Sequence, residues 1–439
     1  MDTIRIDHAT LVTMNDAQEI ITDGEIFIRG DSLEYVGPAR PDGARPAADW
    51  VLDGTGHVAL PGLINAHTHC AMTLLRGYAD DMELRPWLET KIWPLEAHLT
   101  PEDVYWGTLV GALEMIKGGV TTFNDMYWHF GETARAAVEA GIRACPSGVL
   151  LGILPHAEEM VREAIAFVDQ WVEAHPRIHV MFGPHAPYTC PDSLLRWIRD
   201  AARERGLPIH IHLSETEEEV QDSLAQHGRR PVEHLADLGL FETHVLAAHC
   251  NHLSEGEIGI LHDHGVGVSH NPGSNLKLAT GFCPLPRLLE AGVKVGLGTD
   301  GTASNNNLDV LEEVRFAALI HKNVYGDPTV ITAEEALALG TRGGAEALGL
   351  GHLVGQLTPG RRADLILVDL QQPHLWPGHH VVSDLVYAAR ADDVRTVIIN
   401  GEVVLHDRQW VRLDEAAVLA QARVHLQALL ERAGVKAPR

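Results

Sequence analysis

Short apolar runs recur through the middle of the chain, at 58–64, 121–126, 144–150, 179–182, 208–213, 245–248, 266–269 and 293–297. Each has the length of a strand, and the stretches between them carry a helical period. One of these helices opens at Thr100-Pro101-Glu102-Asp103. Thr is a good N-cap, Pro suits the first helical position, and Asp103 stands third in the helix. It closes near Gly118-Gly119, glycine being the usual terminator. Another runs over 192–205 and stops at Gly206-Leu207-Pro208. Eight alternating units over roughly 290 residues predict an α/β fold, a (β/α)8 TIM barrel, with a doubly wound open sheet as the alternative.

The two ends of the chain have a different texture. Residues 10–13, 25–28 and 33–36 read as short strands punctuated by Gly and Asp, and the pattern returns at 363–369 and 394–401. The ends therefore pair into one small β-domain, with the barrel inserted between them. The expected division is 1–60 with 355–412 for the β-domain and 61–354 for the barrel. Residues 413–439 follow as a C-terminal helix, amphipathic and rich in Ala and Leu, packed on the barrel exterior.

Composition narrows the function. With 45% hydrophobic and 21% charged residues, the 439-residue chain is globular. The balance of 34 Lys+Arg against 60 Asp+Glu gives −26, which argues against nucleic acid or an anionic membrane as partner. No apolar run approaches the roughly 18–20 residues that span a bilayer. The start, Met1-Asp2-Thr3-Ile4-Arg5, has neither the basic nor the apolar region of a signal peptide. Five scattered cysteines, with no Cys-x-x-Cys, imply no disulfide framework and a cytoplasmic location. Histidine is abundant, at 27, and its placement carries the chemistry.

The first apolar run ends Asn65-Ala66-His67-Thr68-His69. His67 and His69 are two apart, so an extended strand points both imidazoles to one side, where they can chelate one ion. The fourth run ends at His185, the fifth reads His210-Ile211-His212-Leu213-Ser214-Glu215, and the sixth ends at His249. The seventh ends at His270, and the eighth reads Gly298-Thr299-Asp300. Six of eight strands thus end in His or Asp, and in a parallel barrel such ends gather on the face that carries chemistry. Taken singly, His210 and His270 read as satisfied core histidines. Three imidazoles with a carboxylate suit a divalent metal, zinc first and iron(II) as the alternative. Such an ion lowers the pKa of a bound water to about 7. Glu215, three residues past His212, is a further carboxylate placed to move protons. The chemistry implied is hydrolysis of an amide-like bond, or attack on an amidine carbon that loses ammonia.

The segment Pro61-Gly62-Leu63-Ile64-Asn65-Ala66-His67-Thr68-His69, with His212, His249 and Thr299-Asp300, resembles the amidohydrolase superfamily over the whole barrel. The terminal strands match that superfamily's split β-sandwich. Within it, Trp93-Pro94-Leu95-Glu96, His212-Leu213-Ser214-Glu215-Thr216, the segment from His270 to Ala279 and that from Thr299 to Asn307 resemble the 5-methylthioadenosine/S-adenosylhomocysteine deaminases. Chlorotriazine hydrolases and guanine deaminases are related. The resemblance implies that His67, His69, His212 and Asp300 bind one divalent metal per subunit. No Lys ends the fourth strand, so a single ion is expected. It implies that His249 orients or polarises the attacking water, Asp300 takes its proton, and Glu215 protonates purine N1 as hydroxide adds to C6. Glu96 would accept from the ribose hydroxyls, His185 would contact the substrate, and Trp87 and Ser304 would line the pocket.

One departure stands out. Where those deaminases carry an Arg on the third strand, this chain has Gly148. Losing a guanidinium removes a charged, bidentate contact and favours a smaller substrate than S-adenosylhomocysteine, such as methylthioadenosine, adenosine or another aminopurine. The competing readings are a hydrolase of an s-triazine and a non-catalytic scaffold. The carboxylates Glu215 and Asp300 favour deamination, because ammonia leaves best when protonated, and four intact ligands speak against a scaffold. The expected partner is a small-molecule nucleoside, and the chain is expected to form a homo-oligomer.

Overall fold

The alternation closes into a barrel rather than an open sheet. The structure, a computed structural model, describes residues 2–435. Eight parallel strands lie side by side in sequence order: β1 (Leu63–Thr68), β2 (Val120–Tyr127), β3 (Arg143–Leu150), β4 (Met181–Pro184), β5 (Ile209–Leu213), β6 (Val245–His249), β7 (Gly267–His270) and β8 (Lys294–Leu297). Closure between β8 and β1 is made just past the end of β8. Asn65 Nδ2 donates to Thr299 Oγ1 at 2.8 Å, Thr299 N–H donates to Asn65 Oδ1 at 3.0 Å, and Asp300 N–H donates to the His67 carbonyl at 3.0 Å. The closing bonds thus lock together two of the three strands whose ends carry the expected metal ligands.

The first apolar run is not one strand. Its front half, His57–Pro61, pairs antiparallel with Leu365–Asp369 in the terminal sheet, and only Leu63–Thr68 enters the barrel. Gly62 is the crossing point. A Cβ there would lie 2.1 Å from Thr121 Oγ1, so the turn admits no side chain. Hydrophobicity alone could not divide the run, because both halves are buried.

The two chain ends form a nine-stranded mixed sheet with its own apolar core, including Ile6, Leu11, Ile26, Leu365 and Ile398. A buried ion pair ties it to the barrel. Arg143 on β3 is fully buried and meets Asp364 twice, Nε to Oδ2 at 2.9 Å and Nη2 to Oδ1 at 3.0 Å. The Asn400 backbone N–H also donates to Asp364, at 2.7 Å. Breaking such a pair leaves a charge unpaired in low dielectric. Asp364→Ala is therefore expected to destabilise the fold by about 3–5 kcal/mol, read as a loss in urea midpoint with the metal-binding residues untouched.

Helix Pro101–Lys117 starts as expected, with Thr100 N–H donating to Asp103 Oδ2 at 2.8 Å in a capping box. The tail helix, Glu415–Arg432, packs against it, and Asp103 accepts from His425 Nδ1 at 3.0 Å and from Arg432. Its Leu429 and Leu430 are buried with Trp87, Ile92 and Leu95, so the tail backs the segment that carries Glu96. No helix among the described residues is long and apolar enough to cross a membrane.

Candidate active site

At the C-terminal rim of the barrel, one cavity is lined by His69, Trp87, Glu96, His185, His212, Glu215, His249, Asp300 and Ser304. His67 lies fully buried beside them. Every site residue expected from the sequence is therefore brought to one place. His210 and His270 are not among the lining residues: His210 sits behind His67, and His270 Nε2 meets His321 Nε2 at 3.2 Å elsewhere in the core.

The imidazoles are held from behind. His69 Nδ1 donates to the Met126 carbonyl at 2.6 Å, and His212 Nδ1 to the His185 carbonyl at 2.7 Å. His67 Nδ1 bonds His210 Nε2 at 2.8 Å. For His69 and His212, an Nδ1–H spent on a carbonyl fixes the tautomer and leaves the Nε2 lone pair free to ligate. Those Nε2 atoms converge. His69 and His212 are 3.3 Å apart at Nε2, and Asp300 Oδ1 is 3.2 Å from Nε2 of both His67 and His69. Atoms each roughly 2.0–2.1 Å from a shared ion have about this separation. His67 Nε2 is buried and has no hydrogen-bond partner, which an ion at that point would supply. Two overlapping trios, His67–His69–His212 and His67–His249–Asp300, bring their ligand atoms close enough to share one ion, and imidazoles with a carboxylate fit a divalent metal.

The electrostatics agree. Burial presses the His67 imidazole down to about 4 and the His185 imidazole to about 3, so both are neutral. Burial, with His185 alongside, does the same to His212. Burial also opposes charge on His69, but Asp300 and the Met126 carbonyl outweigh it and lift the ring to about 9. Burial would raise Asp300, yet its contacts with His67 and His69 hold it well below the ordinary carboxylate range. The pocket therefore wants one positive charge between His69 and Asp300, which a proton or a metal cation can provide. The other Asp300 oxygen, Oδ2, accepts from Ser274 Oγ at 2.7 Å and Ser304 Oγ at 2.8 Å, so Oδ1 alone is left to face the imidazoles.

Glu215 faces His249 across 3.8 Å, from Oε2 to Nε2. His249 Nδ1 lies 2.9 Å from Asn275 Oδ1 and 3.3 Å from Asn271 Nδ2, which hold the ring in place. Burial raises the Glu215 carboxyl above its ordinary value, outweighing His249. The turn that presents it is fixed by Glu219, which accepts from the Ser214 and Glu215 backbone N–H groups at 2.8 Å each. Ser214, His249 and Asp300 all adopt left-handed backbone, with φ of 50°, 72° and 60°. For non-glycine residues this costs on the order of 1–3 kcal/mol each and clusters at functional sites.

Glu96 also lines the cavity. It is buried rather than on a solvated helix face. Tyr127 Oη donates to its Oε1 at 2.7 Å and Trp128 Nε1 to its Oε2 at 3.1 Å. Pro94 cannot donate a backbone bond, and the helix widens to a π turn over Leu88–Ile92, with Trp93 N–H reaching the Leu88 carbonyl. Trp87 spends its indole N–H on the Ala79 carbonyl at 3.0 Å, so only its ring faces the cavity. His185 Nδ1 meets Thr189 Oγ1 at 3.0 Å.

The sequence missed the supporting partners Tyr127, Trp128, Glu219, Ser274 and Asn275. A weak signal existed for Ser274 and Asn275, which fall within the stretch already singled out for its resemblance. Thr216-x-x-Glu219 has the spacing of a helix cap, which singles out Glu219, but no spacing rule finds Tyr127 or Trp128.

A model of the amidohydrolase family matches residues 58–404. A 5-methylthioadenosine/S-adenosylhomocysteine deaminase of Pelotomaculum thermopropionicum is 52% identical over 435 residues, 98% of this chain and 100% of that one. Among solved structures, a zinc-bound adenosine deaminase from Xanthomonas campestris superposes with a TM-score of 0.94 at 38% identity, over 98% of both chains. A zinc-complexed atrazine chlorohydrolase from Arthrobacter aurescens gives 0.89 at 26% identity, over 96% of this chain and 100% of that one.

Proposed function

The chain belongs to the amidohydrolase family, and from that premise we propose the following reading: it is a hydrolytic deaminase that replaces the 6-amino group of an adenine nucleoside by oxygen and releases ammonia. The observation that carries this is the placing of Glu215, a carboxyl that burial raises above its ordinary value, 3.8 Å from His249 in the cavity that His69, His212, Asp300 and Glu96 also line. The relatives' names, a 5-methylthioadenosine/S-adenosylhomocysteine deaminase and an adenosine deaminase, agree with it.

His67, His69, His212 and Asp300 hold one divalent ion per subunit, which we take to be zinc, the ion in both solved relatives. When bound, that ion supplies hydroxide at neutral pH. His249, held through Nδ1 by Asn275 and Asn271, orients the attacking water, and Asp300 takes its proton. Glu215 gives a proton to purine N1 as C6 becomes tetrahedral, and the amine leaves as ammonia once protonated. His185 contacts the substrate, and Glu96, held by Tyr127 and Trp128, accepts from the ribose hydroxyls. Trp87 and Ser304 close the walls.

The direct test is an ultraviolet screen of adenine nucleosides for loss of the adenine band, with ammonia measured in parallel. Turnover of none of them would overturn the reading. A second result bears on Glu96. Glu96→Ala is expected to raise KM for nucleosides far more than for free bases, since a base has no ribose to hold. Hydrogen bonds to a charged group contribute about 1.5–3 kcal/mol each. Equal losses for nucleoside and base would remove Glu96 from ribose recognition.

A further inference from the structure

Away from the active-site cavity, a second group of ligand-type side chains is drawn together by the helices outside the barrel. Asp192 opens helix Asp192–Arg205, His227 is the last residue of helix Glu217–His227, and His234 lies in helix Pro231–Asp237. The ligand atoms of all three lie within 4.8 Å of one another. His234 Nε2 meets Asp192 Oδ1 at 2.9 Å, and the rings of His227 and His234 stack with centroids 3.8 Å apart and planes 24° from parallel. His234 is buried, while Asp192 and His227 are partly exposed. None of the three lines the active-site cavity. Helix Glu217–His227 has 11 residues, so it carries His227 roughly 16 Å from the turn that presents Glu215.

The hydrogen bond between His234 and Asp192 accounts for two of these groups but not for His227. Burial, with His234 alongside, lowers the His227 imidazole from its ordinary range, against the pull of Asp192. A neutral imidazole has a lone pair to give. Arg229, in the turn between the two helices, pairs with Asp237 at 3.3 Å rather than with Asp192. Two imidazoles and one carboxylate suit a borderline divalent ion such as zinc, with bonds of about 2.0–2.2 Å. Asp192 and His227, being partly exposed, can turn inward to that distance without displacing the core. We propose that Asp192, His227 and His234 form a peripheral site for a zinc-class divalent ion, separate from the active-site cluster, which clips these three helices to one another. The site has three protein ligands and opens to water. Its ion is therefore exchangeable, is removed by desalting, and adds nothing to the tightly held zinc.

The test uses full-length, tag-free enzyme that has been loaded with zinc and desalted, so that the active site is filled. Calorimetric titration with zinc at about pH 7.5, where an ordinary imidazole is neutral, is expected to show about one further equivalent per chain. His227→Ala and Asp192→Asn each remove one ligand outside the active-site cavity. Each is expected to weaken that equivalent by about tenfold or more, with kcat unchanged. Asp192→Asn keeps a side-chain oxygen for His234, so it separates loss of the ion from loss of the helix contact. Anomalous scattering at the zinc edge, from crystals soaked in zinc, should place a peak between the three side chains. No further equivalent in the wild type, or one of unchanged affinity in both variants, would overturn the proposal. So would a zinc peak found only elsewhere on the surface. None of these outcomes bears on the deaminase reading, which the nucleoside screen tests separately.

Discussion

Glu215→Gln is expected to retain its metal and lose roughly 10²–10⁴ in kcat, the usual contribution of a positioned acid or base. Hydroxide adding to C6 builds negative charge on the ring, and a proton at N1 is what holds it. Gln keeps the size and the hydrogen bond but cannot transfer the proton. The geometry makes the variant conservative. The turn over Ser214 and Glu215 is anchored by Glu219 through backbone N–H groups, which the substitution leaves in place. Burial already raises the Glu215 carboxyl, so the wild-type group has the proton to give nearer neutral pH. Metal content by elemental analysis and single-turnover rates are the paired readouts. Metal lost together with activity would make Glu215 a ligand, and near-normal turnover would remove it from the chemistry. A non-ligand Glu serves the same purpose in nucleobase deaminases of an unrelated fold.

The second large effect is on the metal itself. His69→Ala is expected to abolish both stoichiometric zinc and activity while the barrel stays folded. Disturbing an outer partner of a metal ligand commonly costs about 10–100-fold in affinity, and loss of a ligand should exceed that. The fold should tolerate it because His69 sits just past β1, on the rim, outside the packed layers of the barrel. His67→Ala should lose metal too, but its ring is fully buried against His210, so it carries an added packing cost. Chelation of the wild-type enzyme should reproduce the loss reversibly, with zinc restoring turnover. Elemental analysis giving two tightly held ions per chain would count against a single-ion site. Circular dichroism separates metal loss from unfolding.

Much of the barrel was legible because its signals are local. Strand-length apolar runs, the Thr100 cap and the Gly206 stop are each read within a few residues, and helices Pro101–Lys117 and Asp192–Arg205 run as expected. Hydrophobicity makes the first run one strand, because both halves are buried, although the expected domain boundary at 60/61 falls inside it; the strand pairings and the close approach of Gly62 to Thr121 show where the chain changes sheets. The site was legible to the extent that ligand-type residues sit at strand ends. Glu96 is a harder case: its sequence neighbours fit a solvated helix, and its burial comes from Tyr127, Trp128 and the tail helix, all distant along the chain.

The sequence by itself determined the periodicity, hence the eight strands and their order, and with them which imidazoles and carboxylates reach the rim. Those are properties of the chain's own repeat, which the 2-residue and 3.6-residue periods encode directly. The tertiary structure alone decided which nitrogen of each imidazole faces the centre, because that choice depends on carbonyls such as Met126 and His185 supplied by neighbouring strands. It alone decided that Ser274 and Ser304 occupy one oxygen of Asp300 and leave the other for the imidazoles. It alone held Ser214, His249 and Asp300 in left-handed backbone, a conformation these residues disfavour in isolation and keep only where surrounding hydrogen bonds over-determine it. And it alone filled the space beside Gly148 with Phe130, since a residue's absence says nothing of what packs into its place until the helix that follows β2 is laid against β3.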